Sequence, residues 1–225
     1  HGAYLHFMDV PILPVPAISF PLSDARKSGV MPPTIGLGDV NGTEVSVPYY
    51  WNIAPNRDAT VTPTVMTARG VTVAGEFRYL EPTYSGVVRG NYMPADKLRS
   101  ADRWGATLNQ TGTLGADLGN AAYALNLNRV SDDNYWSDFA SIGALTSRTL
   151  ANDAVTTWSR SGYTVTGRAL RWQTLQSSTS VITPPYDLTH CAGHRGEHFM
   201  DVAGEGRAPA RAHVLAAAAS AGLAR

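Results

Sequence analysis

From Glu44 onward, apolar and polar residues alternate with a period of two. Val45, Val47, Tyr49, Trp51 and Ile53 alternate with Ser46, Pro48, Tyr50 and Asn52. A period of two places successive side chains on opposite faces, so this reads as one β-strand with an apolar face. Pro55-Asn56-Arg57-Asp58 turns the chain. Ala59, Val61, Pro63 and Val65 then alternate with Thr60, Thr62, Thr64 and Met66, and Arg69-Gly70 turns it again. The same pattern returns in Val71–Tyr79, Tyr84–Tyr92, Trp104–Asn109 and Ala121–Asn128. Two further strands, near 148–159 and 163–175, keep the period less well, with a change of parity at Ala169–Leu170. The sum is about eight antiparallel strands of roughly ten residues, which suits an outer-membrane β-barrel. A soluble β-sandwich also alternates, but its strands are usually shorter, about five or six residues.

Residues 1–42 differ. Pro11, Pro14, Pro16, Pro21, Pro32 and Pro33 interrupt them. Proline removes a backbone donor and belongs at edges and turns. Ala3–Phe20 predicts one or two strands, and residues 23–29 a polar loop. The tail from Leu188 changes character again. Ala208–Arg225 is rich in alanine, and Val214–Ala221 could form a short helix ended by Gly222.

Composition adds exclusions. Eighteen basic and eighteen acidic residues cancel, so there is no electrostatic case for nucleic acid. No stretch approaches the roughly 18 apolar residues of a membrane-spanning helix; a membrane would be met by strands or by a surface-lying element. Cys191 is the one cysteine and cannot close an internal disulfide. The chain starts at His1 without a basic leader, which reads as a cut or processed end.

Candidate chemistry is sparse. His194-Arg195-Gly196-Glu197-His198 matches H-x-x-E-H. On a helix, His194 and His198 would share a face and could hold zinc, with Glu197 as general base. Gly193 and Gly196 disfavour that helix. Asp132, Asp133 and Asp138 lack calcium-loop spacing and read as a solvated loop. No G-x-S-x-G elbow occurs. No catalytic, cofactor or metal residue is assigned, and the chain reads as non-enzymatic.

Four strings carry a resemblance: Ser-Phe-Pro-Leu-Ser-Asp-Ala-Arg-Lys-Ser-Gly at 19–29, Pro-Tyr-Tyr-Trp-Asn-Ile-Ala-Pro-Asn-Arg-Asp-Ala-Thr at 48–60, Gly-Glu-Phe-Arg-Tyr-Leu at 75–80 and Arg-Val-Ser-Asp-Asp-Asn-Tyr-Trp-Ser-Asp-Phe at 129–139. In this order and spacing the chain resembles the LptD family of lipopolysaccharide translocons, up to about Asp187. The resemblance implies a periplasmic β-jellyroll followed by an outer-membrane barrel in a Gram-negative bacterium. Residues 1–42 would be the jellyroll's end and the crossing segment, 43–187 the first part of the barrel, and 188–225 a non-matching tail, as a shifted reading frame would give. Implied partners are lipopolysaccharide, an LptE-type lipoprotein plug, the periplasmic bridge protein LptA and the barrel-assembly machinery. The family's disulfide cysteines have no counterpart in the matched region. Prolines in the first two barrel strands of such proteins weaken the seam with the last strand, which is thought to open as a lateral gate. The resemblance gives that role to Pro48 and Pro63. Barrel logic then expects Val45, Val47, Tyr49, Trp51 and Ile53 to face lipid, and Ser46, Tyr50 and Asn52 the lumen. Two alternatives remain open: a complete small eight-strand barrel with a structural or binding role, and a zinc peptidase built on His194, Glu197 and His198.

Overall fold

The computed structural model describes residues 3–7, 10–15, 26–115, 121–139, 145, 147–160, 163–176, 188–195 and 198–205. The Ala-rich segment 208–225 lies outside them, as do residues 16–25.

The described chain is almost entirely antiparallel strand. β1 (Ala3–Phe7) and β2 (Val10–Val15) form a hairpin sheet of their own. Everything else joins one large open sheet. Its first edge is made by β3 (Gly29–Val30) and β4 (Thr34–Gly38), which run against β6 (Tyr49–Ala54) and β5 (Gly42–Ser46) respectively. Both β5 and β6 pair with β7 (Arg57–Met66). β5 and β6 are thus one strand interrupted at Val47-Pro48. The chain then meanders through β8 (Gly70–Leu80), β9 (Tyr84–Asp96), β10 (Ala101–Leu114) and β11 (Ala121–Val130). After a longer loop follow β12 (Thr149–Arg160) and β13 (Tyr163–Thr174). Each strand pairs with the next.

Counting β5 with β6, the segment from Gly42 to Thr174 supplies the eight long strands that the alternation predicts. The change of parity at Ala169–Leu170 is not a bulge, because β12 and β13 keep one register from Thr149↔Thr174 to Arg160↔Tyr163. The backbone continues, and only the distribution of apolar residues changes. Residues 29–38, read from sequence as part of the crossing segment, pair into the large sheet ahead of the strand that begins at Gly42.

Tail residues extend the sheet. β14 (Leu188–Arg195) pairs with β13, and β15 (His198–Glu205) with β14. His194 and His198 therefore lie on two antiparallel strands, opposite Phe199 and Arg195. This corrects the zinc-peptidase alternative, which needs both histidines on one helical face.

The turns divide between two ends of the sheet. One, the Asn56 end, holds residues 55–56 and 81–83. The other, the Asp138 end, holds residues 39–41, 67–69, 97–100 and the β11–β12 loop. The main hydrophobic cluster sits at the Asp138 end. Met66, Met93, Val130, Leu150 and Leu175 enclose Tyr135, Phe139 and Leu145, which the β11–β12 loop carries back over the sheet. The loop's one helical turn, α1 (Tyr135–Asp138), lies against β10 at Gly105. A Cβ on Gly105 would come within 2.7 Å of the Tyr135 hydroxyl, whereas one on Gly75, on the opposite face, would meet nothing within 4 Å. Replacing Gly105 with Ala should therefore cost about 1–3 kcal/mol by overpacking, and Gly75→Ala should be neutral or slightly stabilising. Denaturant midpoints of the two variants in the intact protein check this contrast.

Candidate functional site: an inside-out sheet with a proline-broken edge

The two faces of the sheet have the opposite polarity to a water-soluble protein. Tyr49, Trp51 and Ile53 on β6, Val61 and Val65 on β7, Val71 and Val73 on β8, Val88 and Tyr92 on β9, Trp104 on β10 and Leu127 on β11 are all exposed. Cross-strand register places them on one face, as in Val73↔Tyr92↔Trp104. The other face is polar and better covered. It carries Asp58, Thr64, Thr72, Asp96, Arg103 and Thr107, all buried, together with the Glu76–Arg89 ion pair at 2.6 Å. Exposed apolar area of this extent marks an interaction surface.

The odd-numbered set falls on the apolar face. Val47, Tyr49, Trp51 and Ile53 are exposed, and Val45 is half-buried. The even-numbered set falls on the polar face. The hydroxyls of Ser46 and Thr64 are hydrogen-bonded at 2.8 Å, and the Tyr50 hydroxyl donates to Asp58 Oδ2 at 3.2 Å. Asn52 is tied to the incoming chain by the bonds described below. At about 3.3 Å per residue and a tilt near 40°, the 11-residue β8 rises roughly 28 Å. That matches the apolar band of about 25 Å on membrane barrels.

The edge of the sheet is defective in a specific way. Met31 N–H donates to Pro48 O at 2.8 Å. In an antiparallel ladder such a pair should exchange two bonds, but Pro48 has no N–H to return. Val47 N–H donates to Pro63 O at 3.1 Å, and there too the return bond is missing. Pro48 thus weakens the ladder between β3–β4 and β5–β6, while Pro63 weakens the next ladder inward. Val30 faces Tyr49 but Thr34 faces Ser46, so Met31-Pro32-Pro33 oppose only Val47-Pro48. This is a bulge built of prolines. The sequence reading placed Pro48 and Pro63 in the first two strands. With β3–β4 outside them, they lie in the second and third, and Pro32 and Pro33 interrupt the first.

Side chains fasten this edge at the Asn56 end. Asn52 N–H donates to Ser28 Oγ at 2.8 Å, and Asn52 Nδ2 to Arg26 O at 2.9 Å. Arg26 Nη1 reaches Asp58 Oδ2 at 2.9 Å, and its Nη2 donates to Pro55 O. Arg78 binds Asp58 through Nε at 2.7 Å and Nη2 at 3.0 Å.

At the Asp138 end, a buried ion cluster joins the turns at 39–41, 67–69 and 97–100 to the β11–β12 loop. Arg69 Nη2 donates to Asp96 at 2.8 Å and to Asp138 at 2.9 Å, and its Nη1 to Asn41 at 3.1 Å. Arg103 Nη1 donates to Asp138 at 2.6 Å, and its Nη2 to Asp132 at 2.7 Å. Arg99 Nε adds a bond to Asp138 at 3.0 Å. The Phe139 ring lies 4.9 Å from the Arg69 guanidinium and 4.7 Å from that of Arg103. Asp132 and Asp138 are therefore not residues of a solvated loop, as the sequence suggested. Arg69, Asp96 and Arg103 were missed as a group, since Arg69 lies in the β7–β8 turn, Asp96 ends β9 and Arg103 lies on β10, with no spacing that links them. The one available signal was that Arg69 falls in a turn, and Asp96 at a strand end, beside strongly alternating strands.

Burial alone would push the Asp138 carboxyl up, but hydrogen bonds from Arg99, Arg69 and Arg103 hold it well below the usual carboxylate range. Asp132 is lowered likewise, against its burial, by Arg103 and Ser131. Burial pushes the Tyr135 hydroxyl up to about 12.

Comparison with known proteins decides the family. A family model described as LptD protein matches residues 1–118, and a second, LPS transport system D, matches residues 101–189. The chain belongs to the LptD family. It is 58% identical over 194 residues to the LPS-assembly protein LptD of Albidiferax ferrireducens, covering 83% of this chain and 24% of that protein. It is 53% identical over 192 residues to the LptD of Paracidovorax citrulli (83% and 23%) and 42% identical over 180 residues to that of Chromobacterium violaceum (78% and 22%). The chain thus spans about a quarter of the length of the curated relatives it matches. The family-model match ends at residue 189, close to where the sequence changes character.

The ion cluster makes two predictions for the intact protein. Asp138→Asn leaves three guanidiniums short of a carboxylate and should destabilise by about 3 kcal/mol or more, read as a lowered unfolding midpoint. A carboxylate lowered on folding contributes stability that is present above its unfolded value, near 4, and is lost as pH falls through the folded value. A tyrosine raised on folding contributes below about 10 and loses that contribution as pH rises through about 12. Protease resistance of the β11–β12 loop should therefore be flat from about pH 5 to pH 9.

Proposed function

We propose that this chain is the seam-side portion of an outer-membrane barrel that moves lipopolysaccharide to the cell surface. The observation that carries the reading is the inverted polarity of the sheet. An apolar face of about bilayer height backs onto a polar face lined by Thr, Asn, Arg and Glu, which suits lipid on one side and a wet lumen on the other. Family membership and the names of its relatives as LPS-assembly proteins support the cargo. Transport by such a wall needs no covalent chemistry. Acyl chains keep to apolar surface while the sugar portion passes along the polar face.

The lateral exit in this reading is the broken edge. A ladder that lacks return bonds at Pro48 and Pro63 and is bulged at Pro32-Pro33 costs less to open than a complete one. The last strand of the intact barrel meets this edge. An LptE-type plug, a bridge protein such as LptA and the barrel-assembly machinery are the partners that follow from the same reading, with the N-terminal residues on the periplasmic side. A separate small barrel is less well supported, because among the described residues the sheet is open and its first and last strands do not pair.

Two experiments test this in the intact protein. Asp substituted at Val47 or Ile53 should lower the yield of folded protein in the outer membrane severalfold more than Asp at Ser46 or Asn52; equal tolerance would contradict the assignment of faces. Ala at both Pro48 and Pro63 restores two donors and should slow surface arrival of lipopolysaccharide while leaving the barrel folded. Unchanged arrival would remove these prolines from the gate.

A further inference from the structure

We infer that Arg26 is a positioning residue, a latch that fastens the crossing segment to the Asn56 end of the broken edge and fixes the point from which the preceding chain departs. The functional half of this inference rests on the transport reading. The structural half does not.

Backbone pairing alone holds this segment poorly. β3 contributes two paired residues, Gly29 and Val30. Beyond them the ladder meets Pro32, Pro33 and Pro48, and regular pairing resumes only at Thr34. What sits at the Asn56 end is a ring of side-chain bonds. The Arg26 guanidinium spans two acceptors on different elements, the Asp58 carboxylate of β7 and the Pro55 carbonyl of the β6–β7 turn. The Arg26 carbonyl accepts from Asn52 Nδ2, and Ser28 Oγ accepts from Asn52 N–H. Arg26 and Ser28 thus both hold Asn52, near the end of β6.

Arg26 is surplus to the charge balance of Asp58. The Arg78 guanidinium already binds both carboxylate oxygens, and the Tyr50 hydroxyl adds a third bond. A buried carboxylate so well paired does not need a second guanidinium for neutrality. The second one brings another segment to it instead. An ordinary surface ion pair contributes little. Here the carboxylate is buried, and the fork geometry of arginine lets one side chain bond two elements at once. Removing Arg26 leaves Asp58 satisfied, so the latch can be opened without unfolding the wall.

The seam then has three zones. It is fastened by Arg26, Ser28 and Asn52 at one end, empty of several backbone bonds in the middle, and closed by the β4–β5 hairpin at the other. Movement concentrates in the middle, and the segment entering at Arg26 keeps its place while the prolines give way.

Cysteines at Val30 and Tyr49 read the latch directly in the intact protein. These residues face each other beside the hydrogen-bonded Met31/Pro48 pair, so they form a non-hydrogen-bonded pair, about 4.5 Å between Cα atoms, within disulfide range. With Arg26 present the Val30→Cys/Tyr49→Cys cross-link should form readily. Adding Arg26→Gln should slow its formation about tenfold while the protein keeps its heat-modifiable, folded mobility on gels. Equal rates with and without Arg26 would overturn the latch. In cells, Arg26→Gln should reduce surface arrival of lipopolysaccharide several-fold, and the cross-link should restore it. A slowed cross-link with unchanged arrival, or a cross-link that itself blocks arrival in the Arg26 background, would overturn the positioning role. If the unsubstituted protein delivers no lipopolysaccharide, the transport reading fails, and the cross-linking rate still decides the latch.

Discussion

The structure is organised by one constraint: a single sheet must satisfy its backbone internally while its apolar side faces outward. Antiparallel pairing does the first, strand by strand, from β4 to β15. Nothing within the described residues covers the side that carries Trp51, Val73, Val88 and Leu127. In water such a face would drive association. In a bilayer it is the required surface, because hydrocarbon admits no unpaired backbone and few charges. The charges accordingly collect on the opposite face and at the strand ends.

Stability then has to come from somewhere other than a central core. The buried apolar residues gather at the Asp138 end, beneath the β11–β12 loop. The ion cluster of Arg69, Asp96, Arg103 and Asp138 holds that loop down and ties the adjacent turns together. Breaking it would strand buried guanidiniums, which is why a desolvated cluster of this kind makes a rigid lock even when its net contribution is modest. The opposite end has a lighter fastening, Asp58 with Arg78 and Arg26. Between them the seam carries its prolines. Rigidity at the ends and missing bonds in the middle are two parts of one arrangement, and the proposed opening of the edge would leave the wall behind it intact.

Much of the wall was legible in the sequence, because a period of two leaves its mark residue by residue. Val45–Ile53, Ala59–Met66 and Val71–Tyr79 each announce a strand and its two faces. Pro48 and Pro63 were legible as breaks. Which ladder each one breaks was not, since that depends on which neighbour the carbonyl on the same residue serves. Nor did the sequence reveal the outermost strand, because Gly29–Gly38 is too short and too rich in proline to alternate. The ion cluster was hidden for another reason. Asp96 and Arg103 are 7 residues apart, but Arg69 lies 27 residues from Asp96 and 69 from Asp138, and only strand register and the return of the β11–β12 loop bring them together. Asp138 looked like a solvent residue because its neighbours Asp132, Asp133 and Asn134 are polar. His194 and His198 failed in the opposite direction. A motif was present, but the backbone around it is strand.

The central claim is that the exposed apolar face meets lipid and the polar face meets water. Nitroxide labels on single cysteines at Val88 and Asn109, in the intact protein reconstituted in bilayers, measure this most directly. The account predicts that relaxation at Val88 responds strongly to oxygen and weakly to a water-soluble nickel chelate, with the reverse at Asn109. Equal response to the chelate at both positions would place both faces in water and contradict it.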